Sequence, residues 1–282
     1  MKKRIGLSLG GGGVRGLAHV PILETLDDLG VRPSVISGTS MGAVIGALYA
    51  SGLSGRQIRD LIERHAVLKS DTWTSVFKKK ASLLKWVDAF SLEFGRGGII
   101  NTDNFLNYLL SEVGENTFEK LKIPLIVIAA EFWEGREVVL QRGDLLPAIK
   151  ASMAVPGVFR PVTIDDDVLI DGGVVNLVPY DHIIPHCDIS IAVNVAKTRI
   201  PGKHDFPSVL ESILGTFEIM QMAALAEKMK RQKPDIYIRP EINDVTMFDF
   251  TKIEDVYQQT EPALIELRKT IKNLISRRHH TG

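Results

Sequence analysis

Four consecutive glycines, Gly10-Gly11-Gly12-Gly13, followed by Val14-Arg15-Gly16, interrupt the chain directly after the apolar run Ile5–Leu9. The apolar run reads as a buried strand. Beyond the glycines, Leu17, Val20, Leu23, Leu26 and Leu29 recur at helical spacing, and Gly30 stands where that helix should end. A strand, a glycine turn and a helix, in that order, open an α/β domain. Consecutive glycines let several backbone N–H groups face one point, because no Cβ restricts φ. The following helix adds the positive end of its dipole. Two kinds of ligand suit such a turn. For a dinucleotide, Gly11, Gly13 and Gly16 satisfy G-x-G-x-x-G, but that use needs an acid about 20 positions on. The next strand ends Ile36-Ser37-Gly38 with no acid, and a Walker-type lysine is also missing. The remaining uses are to hold the negative oxygen of a tetrahedral intermediate, or simply to make a tight strand-to-helix turn, although four glycines exceed what a turn requires.

The rest of the chain continues the alternation. Val35–Ser37 reads as a strand, Ala43–Ser51 and Leu53–Val67 as helices, and Thr102 as the cap of a helix reaching Val113. Ile123–Ala130 is the strongest buried-strand signal, with Glu137–Gln141 as its neighbour. Asp144–Ser152 is helical. Val162–Ile164 and Val168–Ile170 flank Asp165-Asp166-Asp167 as a hairpin. Asp188–Ala196 and Ile236–Ile238 read as strands, and 208–231 and 262–277 as helices. One compact domain is expected, with residues 200–282 as a helical extension packed on residues 5–199.

Composition narrows the function classes. The 34 basic and 34 acidic residues of the 282 cancel, so no global field marks a nucleic-acid binder. The single cysteine, Cys187, excludes an intrachain disulfide and the cysteine-rich zinc patterns, and points to a reducing, cytoplasmic setting. It is expected to be buried and inert. Met1-Lys2-Lys3-Arg4 is a charged start, but Ile5–Leu9 is too short for a signal-peptide core. Ala43–Ala50 and Ile123–Ala130 fall short of the ~20 residues that span a bilayer.

A second motif follows the first. Gly38-Thr39-Ser40-Met41-Gly42 matches G-x-S-x-G between a strand and a helix, the setting of a nucleophile elbow. There Ser40 stands on a sharp turn, and Gly38 and Gly42 avoid clashes on either side. The bland alternative is a small-residue turn with Ser40 as a helix cap. A serine nucleophile needs a base. Seven histidines are present: His19, His65, His182, His186, His204, His279 and His280. His182 and His186 follow an aspartate and fit the order Ser–Asp–His, but none of the seven sits in a motif of its own. Asp171-Gly172-Gly173 does. It closes the strand Val168–Ile170, and a desolvated aspartate within reach of a serine takes its proton directly. The bland alternative is a β-turn aspartate.

Taken in order, Gly11-Gly12-Gly13-Val14-Arg15-Gly16, Gly38-Thr39-Ser40-Met41-Gly42 and Asp171-Gly172-Gly173 resemble the patatin-like phospholipase (PNPLA) family. The stretch Ala151-Ser152-Met153-Ala154-Val155-Pro156-Gly157-Val158-Phe159 looks like the block these proteins carry before the Asp motif. The resemblance covers residues 5–199, and Leu17-Ala18-His19 is similar to bacterial stand-alone members. It implies a three-layer α/β/α fold with a mostly parallel central sheet. It further implies a Ser–Asp dyad without histidine: Ser40 as nucleophile, Asp171 as base, and the N–H groups of Gly11, Gly12 and Gly13 as oxyanion hole. Arg15, Gly16, Gly38, Gly42, Gly172 and Gly173 would support these groups. No metal or other cofactor is implied.

The expected activity is hydrolysis of fatty-acyl esters, with a lipid or other ester as the partner molecule. An acyltransferase and a nonenzymatic lipid-binding module are the alternatives. Residues 70–100 interleave Trp73, Phe77, Trp86, Phe90 and Phe94 with Lys78-Lys79-Lys80 and Lys85. This pattern suits a lid or a peripheral contact with the inner face of a membrane, or else an ordinary core with solvated lysines. The methionines Met220, Met222 and Met229 are expected as core filler or as a soft wall for an acyl chain, and the stripe Leu264, Leu267, Ile271, Leu274 and Ile275 as packing on the domain or as a membrane-surface face.

Overall fold

In a computed structural model of the protein, residues 3–64, 114, 117–197, 206, 209–247 and 249–276 are described. The aromatic and lysine segment 70–100 and the expected helix 102–113 lie outside them.

Among the described residues there are eight strands: β1 (Ile5–Leu9), β2 (Val35–Thr39), β3 (Leu125–Glu131), β4 (Glu137–Leu140), β5 (Val162–Ile164), β6 (Asp167–Asp171), β7 (Ile189–Val193) and β8 (Ile236–Ile238). They form one sheet in the order β5-β6-β3-β2-β1-β7-β8, with β4 also paired to β3. The β3-β2-β1-β7-β8 portion is parallel, and β4, β6 and β5 join antiparallel. The helices are α1 (His19–Asp28), α2 (Met41–Ala50), α3 (residues 55–64), α4 (Leu145–Ser152), α5 (Val209–Arg231) and α6 (Ile253–Ser276).

Strand alternation divides the core into two faces. Leu7, Leu9, Ile36, Leu125, Val127, Ile191, Val193, Ile236 and Ile238 point one way, into a cluster with α1, α2, α3, α4 and α6. Val35, Ile126, Ile128 and Ala192 point the other way, against Leu177, Val178, Tyr180 and Leu225 of α5. The result is the expected three-layer α/β/α arrangement. Residues beyond 200 add a strand to the sheet as well as two helices.

The structure differs locally from the sequence reading at four places. The helix after the glycines begins as a short 3-10 helix, Gly13–Ala18, and becomes α-helical at His19. The last helix starts at Ile253, not near Pro262, which lies inside it. Its buried stripe Val256, Tyr257, Thr260, Leu264, Leu267 and Ile271 runs through the proline. That burial outweighs the ~3 kcal/mol a proline costs in a helix interior. Cys187 is half-buried rather than buried, and burial still raises its thiol pKa. Met220 is exposed, whereas Met222 and Met229 pack on the α5 face of the sheet. The Asp165-Asp166 turn has positive φ at both residues, the geometry of a tight hairpin that only small polar residues and glycine tolerate. Among the described residues no helix is long and apolar enough to cross a membrane.

Candidate active site

β3 is the element that builds the site. Ile128 pairs with Thr39 of β2 on one edge and with Val139 of β4 on the other. Ala129 pairs with Val138 of β4 and with Asp171 of β6. Since β4 holds the same edge throughout, β2 and β6 share the opposite edge. They lie end to end on it, β2 parallel to β3 and β6 antiparallel. Their C-terminal ends therefore meet at Thr39 and Asp171, which face consecutive residues of β3. Residues far apart in sequence are brought together by one strand's register.

Ser40 follows Thr39 with φ 53° and ψ −125°, a strained conformation for a residue with a side chain. It stands at the N-terminus of α2, yet its hydroxyl makes no capping hydrogen bond. That removes the helix-cap alternative and frees the hydroxyl. The strain is held from both sides. The Ser40 amide donates to Ser152 Oγ at 2.8 Å, and its carbonyl accepts from Ala43 N at 2.9 Å. Thr39 Oγ1 donates to Asn176 O at 2.8 Å.

Asp171 is 3% exposed and Ser40 7%. The carboxylate accepts from Gly173 N at 2.7 Å, and the Asp171 amide donates to Ala154 O at 2.9 Å. The block before the Asp motif thus holds both residues, through Ser152 and Ala154. Burial raises the Asp171 pKa from 3.8 to about 6, against the lowering effect of hydrogen bonds from the Gly173 amide and the Ser40 side chain. A carboxylate so placed is a stronger base than an exposed one.

The glycine loop passes beside this pair. A Cβ on Gly11 would stand 3.3 Å from Ser40 Cβ. Gly10 N donates to Val193 O and Gly11 N to Leu177 O, so those two amides are committed. Gly12 and Gly13 amides have no hydrogen-bond partner among the described residues. Gly13 has φ +58°, and a Cβ there would come within 2.3 Å of Met247 O, so only glycine fits. His19, wholly buried, hydrogen-bonds Gly10 O through Nε2 at 2.8 Å; burial lowers its pKa to about 4 and keeps it neutral.

Arg15 is 1% exposed and anchors the loop to the C-terminal part of the chain. It donates to Glu218 Oε1 of α5 at 2.6 Å and to Val245 O at 3.2 Å. Breaking a buried ion pair by removing one partner leaves a desolvated charge. Glu218→Ala is therefore expected to lower stability by about 3 kcal/mol, read as a drop in the urea midpoint at constant m-value.

The histidines fitting Ser–Asp–His are placed elsewhere. His182 is bonded to Glu137, which raises its pKa, and His186 is exposed. Among the described residues no cluster of His, Cys, Asp and Glu is spaced to hold a metal ion. A polar cleft of about 560 Å³ lined by Glu24, Arg59, Tyr257 and Arg268 includes neither Ser40 nor Asp171. Sequence reasoning missed Ser152, Asn176 and Gln221. Of these only Ser152 lay in a stretch the sequence had singled out.

The family model for patatin-like phospholipase matches residues 7–184. The chain belongs to the patatin-like phospholipase family. An uncharacterized NTE family protein of Mycobacterium bovis is 32% identical over 208 residues, 73% of this chain and 53% of that protein. Lysophospholipase NTE1 of Candida glabrata is 27% identical over 281 residues, 90% of this chain and 15% of that protein. The chain thus spans about half of the mycobacterial relative and a small part of the yeast one. Among solved structures, VipD from Legionella pneumophila superposes with a TM-score of 0.48 at 15% identity, covering 94% of this chain and 67% of that one.

Proposed function

We propose that this member of the family is a serine lipid acyl hydrolase, cleaving fatty-acyl esters of phospholipids or lysophospholipids through an acyl-serine intermediate. The observation that carries the reading is the meeting of β2 and β6 on one edge of β3. It pairs a strained, uncapped serine with a buried carboxylate of raised pKa.

The proposed steps are these. Asp171 takes the Ser40 proton as Oγ bonds to the ester carbonyl carbon. The oxyanion is held by the free Gly12 and Gly13 amides, with the α2 N-terminus adding its dipole. Asp171 returns the proton to the departing alcohol. Water, deprotonated by the same aspartate, then releases the fatty acid. A peripheral bilayer contact in a reducing compartment belongs to the proposal. The turn that follows β3 carries Phe132 and Trp133, which stack edge to face at 5.0 Å, with Trp133 78% exposed. Such rings suit the headgroup level of a membrane.

A fluorophosphonate probe is expected to label wild type at Ser40 and leave Ser40→Ala unlabelled. Mass spectrometry of a lipid extract should show free fatty acid only with wild type. Labelling rate should climb with pH through about 6, as Asp171 becomes ionised. An unlabelled wild-type protein, or labelling that survives in Ser40→Ala, would remove the proposal.

A further inference from the structure

α5 carries a polar group that no motif announces. Gln221 is 8% exposed, and its carboxamide lies over Gly173. The amide nitrogen stands 2.4 Å from the place a Gly173 Cβ would take, and Asp171 Oδ1 stands 2.9 Å from the same place. Carboxamide and carboxylate are neighbours across a residue that has no side chain to separate them. Among the described residues the Gln221 side chain makes no hydrogen bond. Its polar atoms are not among those sealed without a partner in the core. A nearly buried amide left this way is costly unless a small polar molecule satisfies it.

The placement of Gln221 is also fixed. One turn before it, Glu218 is tied to Arg15 of the glycine loop. Two turns after it, Lys228 donates to Asn176 Oδ1, Val178 O and Asp181 Oδ1 at 2.6, 2.7 and 2.6 Å. Asn176 in turn accepts from Thr39, the neighbour of Ser40. The helix is pinned to the glycine loop and to the segment 176–181 that follows the Asp motif.

We infer that Gln221 orients the water that hydrolyses the acyl-enzyme, a role that rests on the serine hydrolase reading above. One polar atom of the carboxamide holds the water while an O–H of that water points at Asp171. The water oxygen bonds to the acyl carbonyl carbon as its proton passes to Asp171. The tetrahedral intermediate then breaks its bond to Ser40 Oγ, which takes the proton back from Asp171, and the fatty acid leaves. Acylation of Ser40 uses no water, so it does not use Gln221.

The test is stopped-flow hydrolysis of p-nitrophenyl butyrate by wild type and Gln221→Leu, which keeps the volume and removes the polar atoms. In the variant, kcat is expected to fall about tenfold, the worth of one hydrogen bond. A burst of one nitrophenolate per enzyme should precede slow turnover, with the acyl-enzyme visible by intact mass. kcat/KM and the rate of fluorophosphonate labelling should be unchanged, and added hydroxylamine should restore turnover. Loss of kcat/KM and labelling together, with no acyl-enzyme, would overturn the inference, as would a variant indistinguishable from wild type. Gln221→Asn, which retracts the amide by one methylene, is read in the same way if the leucine variant does not fold. Wild type is labelled first: its failure there counts against the hydrolase reading itself, not against Gln221.

Discussion

Asp171→Asn is expected to lower ester hydrolysis by about a thousandfold while making the protein more stable at pH 8. The first effect follows from the proposed role of Asp171 as the base for Ser40, whose side chain lowers the Asp171 pKa through a hydrogen bond. The second follows from the direction of the pKa shift. Folding raises the Asp171 pKa from 3.8 to about 6. The native state therefore binds this proton more tightly than the unfolded chain does. The contribution of this group to stability is complete below about pH 3.8 and is lost as pH rises through about 6. Holding the ionised carboxylate in place at pH 8 then costs about 3 kcal/mol. Asparagine keeps an acceptor for the Gly173 amide without that charge. Thermal melts at pH 4 and pH 8 should show the variant gaining on wild type only at the higher pH. His182→Ala is the control: its partner is Glu137, so turnover should stay within about threefold of wild type. Full activity in Asp171→Asn, with loss in His182→Ala, would transfer the role of base to the histidine.

Gly42→Ala is expected to prevent folding. A Cβ at this position would lie 2.0 Å from Leu9 O, 2.6 Å from Leu9 C and 2.8 Å from Gly10 O. All three are backbone atoms where β1 enters the glycine loop, so no rotamer change relieves the overlap. The first turn of α2 would have to lift off the sheet, which carries the elbow with it. A destabilisation beyond about 4 kcal/mol is the expected scale. Gly46→Ala, one turn further along the same helix, is the comparison. Its Cβ would meet only Ile36 Cγ2 at 3.2 Å, Leu125 Cδ1 at 3.3 Å and Leu9 Cδ1. Those side chains can shift, so a cost near 1 kcal/mol is expected. Urea titration of both variants tests the contrast; a folded Gly42→Ala of near-normal midpoint would show that the approach of α2 to β1 is looser than described.

The local part of this architecture could be read from the chain. Buried strands announce themselves as short apolar runs, and β1, β3 and β8 lie where those runs are. The Asp165-Asp166 hairpin and the end of α1 at Gly30 follow from turn chemistry. The three glycine motifs identify their own turns because each imposes a backbone approach that larger residues forbid. What could not be read is whatever depends on a distant partner. Pro262 misplaced the start of α6 because its penalty is local while the stripe that overrides it is tertiary. Asn176, Ser152 and Gln221 are single polar residues without periodicity. Their contacts arise only when α4, the segment after the Asp motif and α5 set them beside Ser40, Thr39 and Gly173. The commitment of the Gly11 amide to Leu177 is likewise invisible in a run of four alike residues.

The single strand that aligns both halves of the proposed dyad makes their separation independent of the path between them. Serine and aspartate are gauged against adjacent rungs of one ladder, not against the length of chain that joins them. The exposed Glu134–Gly135 turn, where β3 gives way to β4, could accept several added residues and leave that gauge unaltered. The spacing of Ser40 and Asp171 is in this sense insulated from growth of the loops between them.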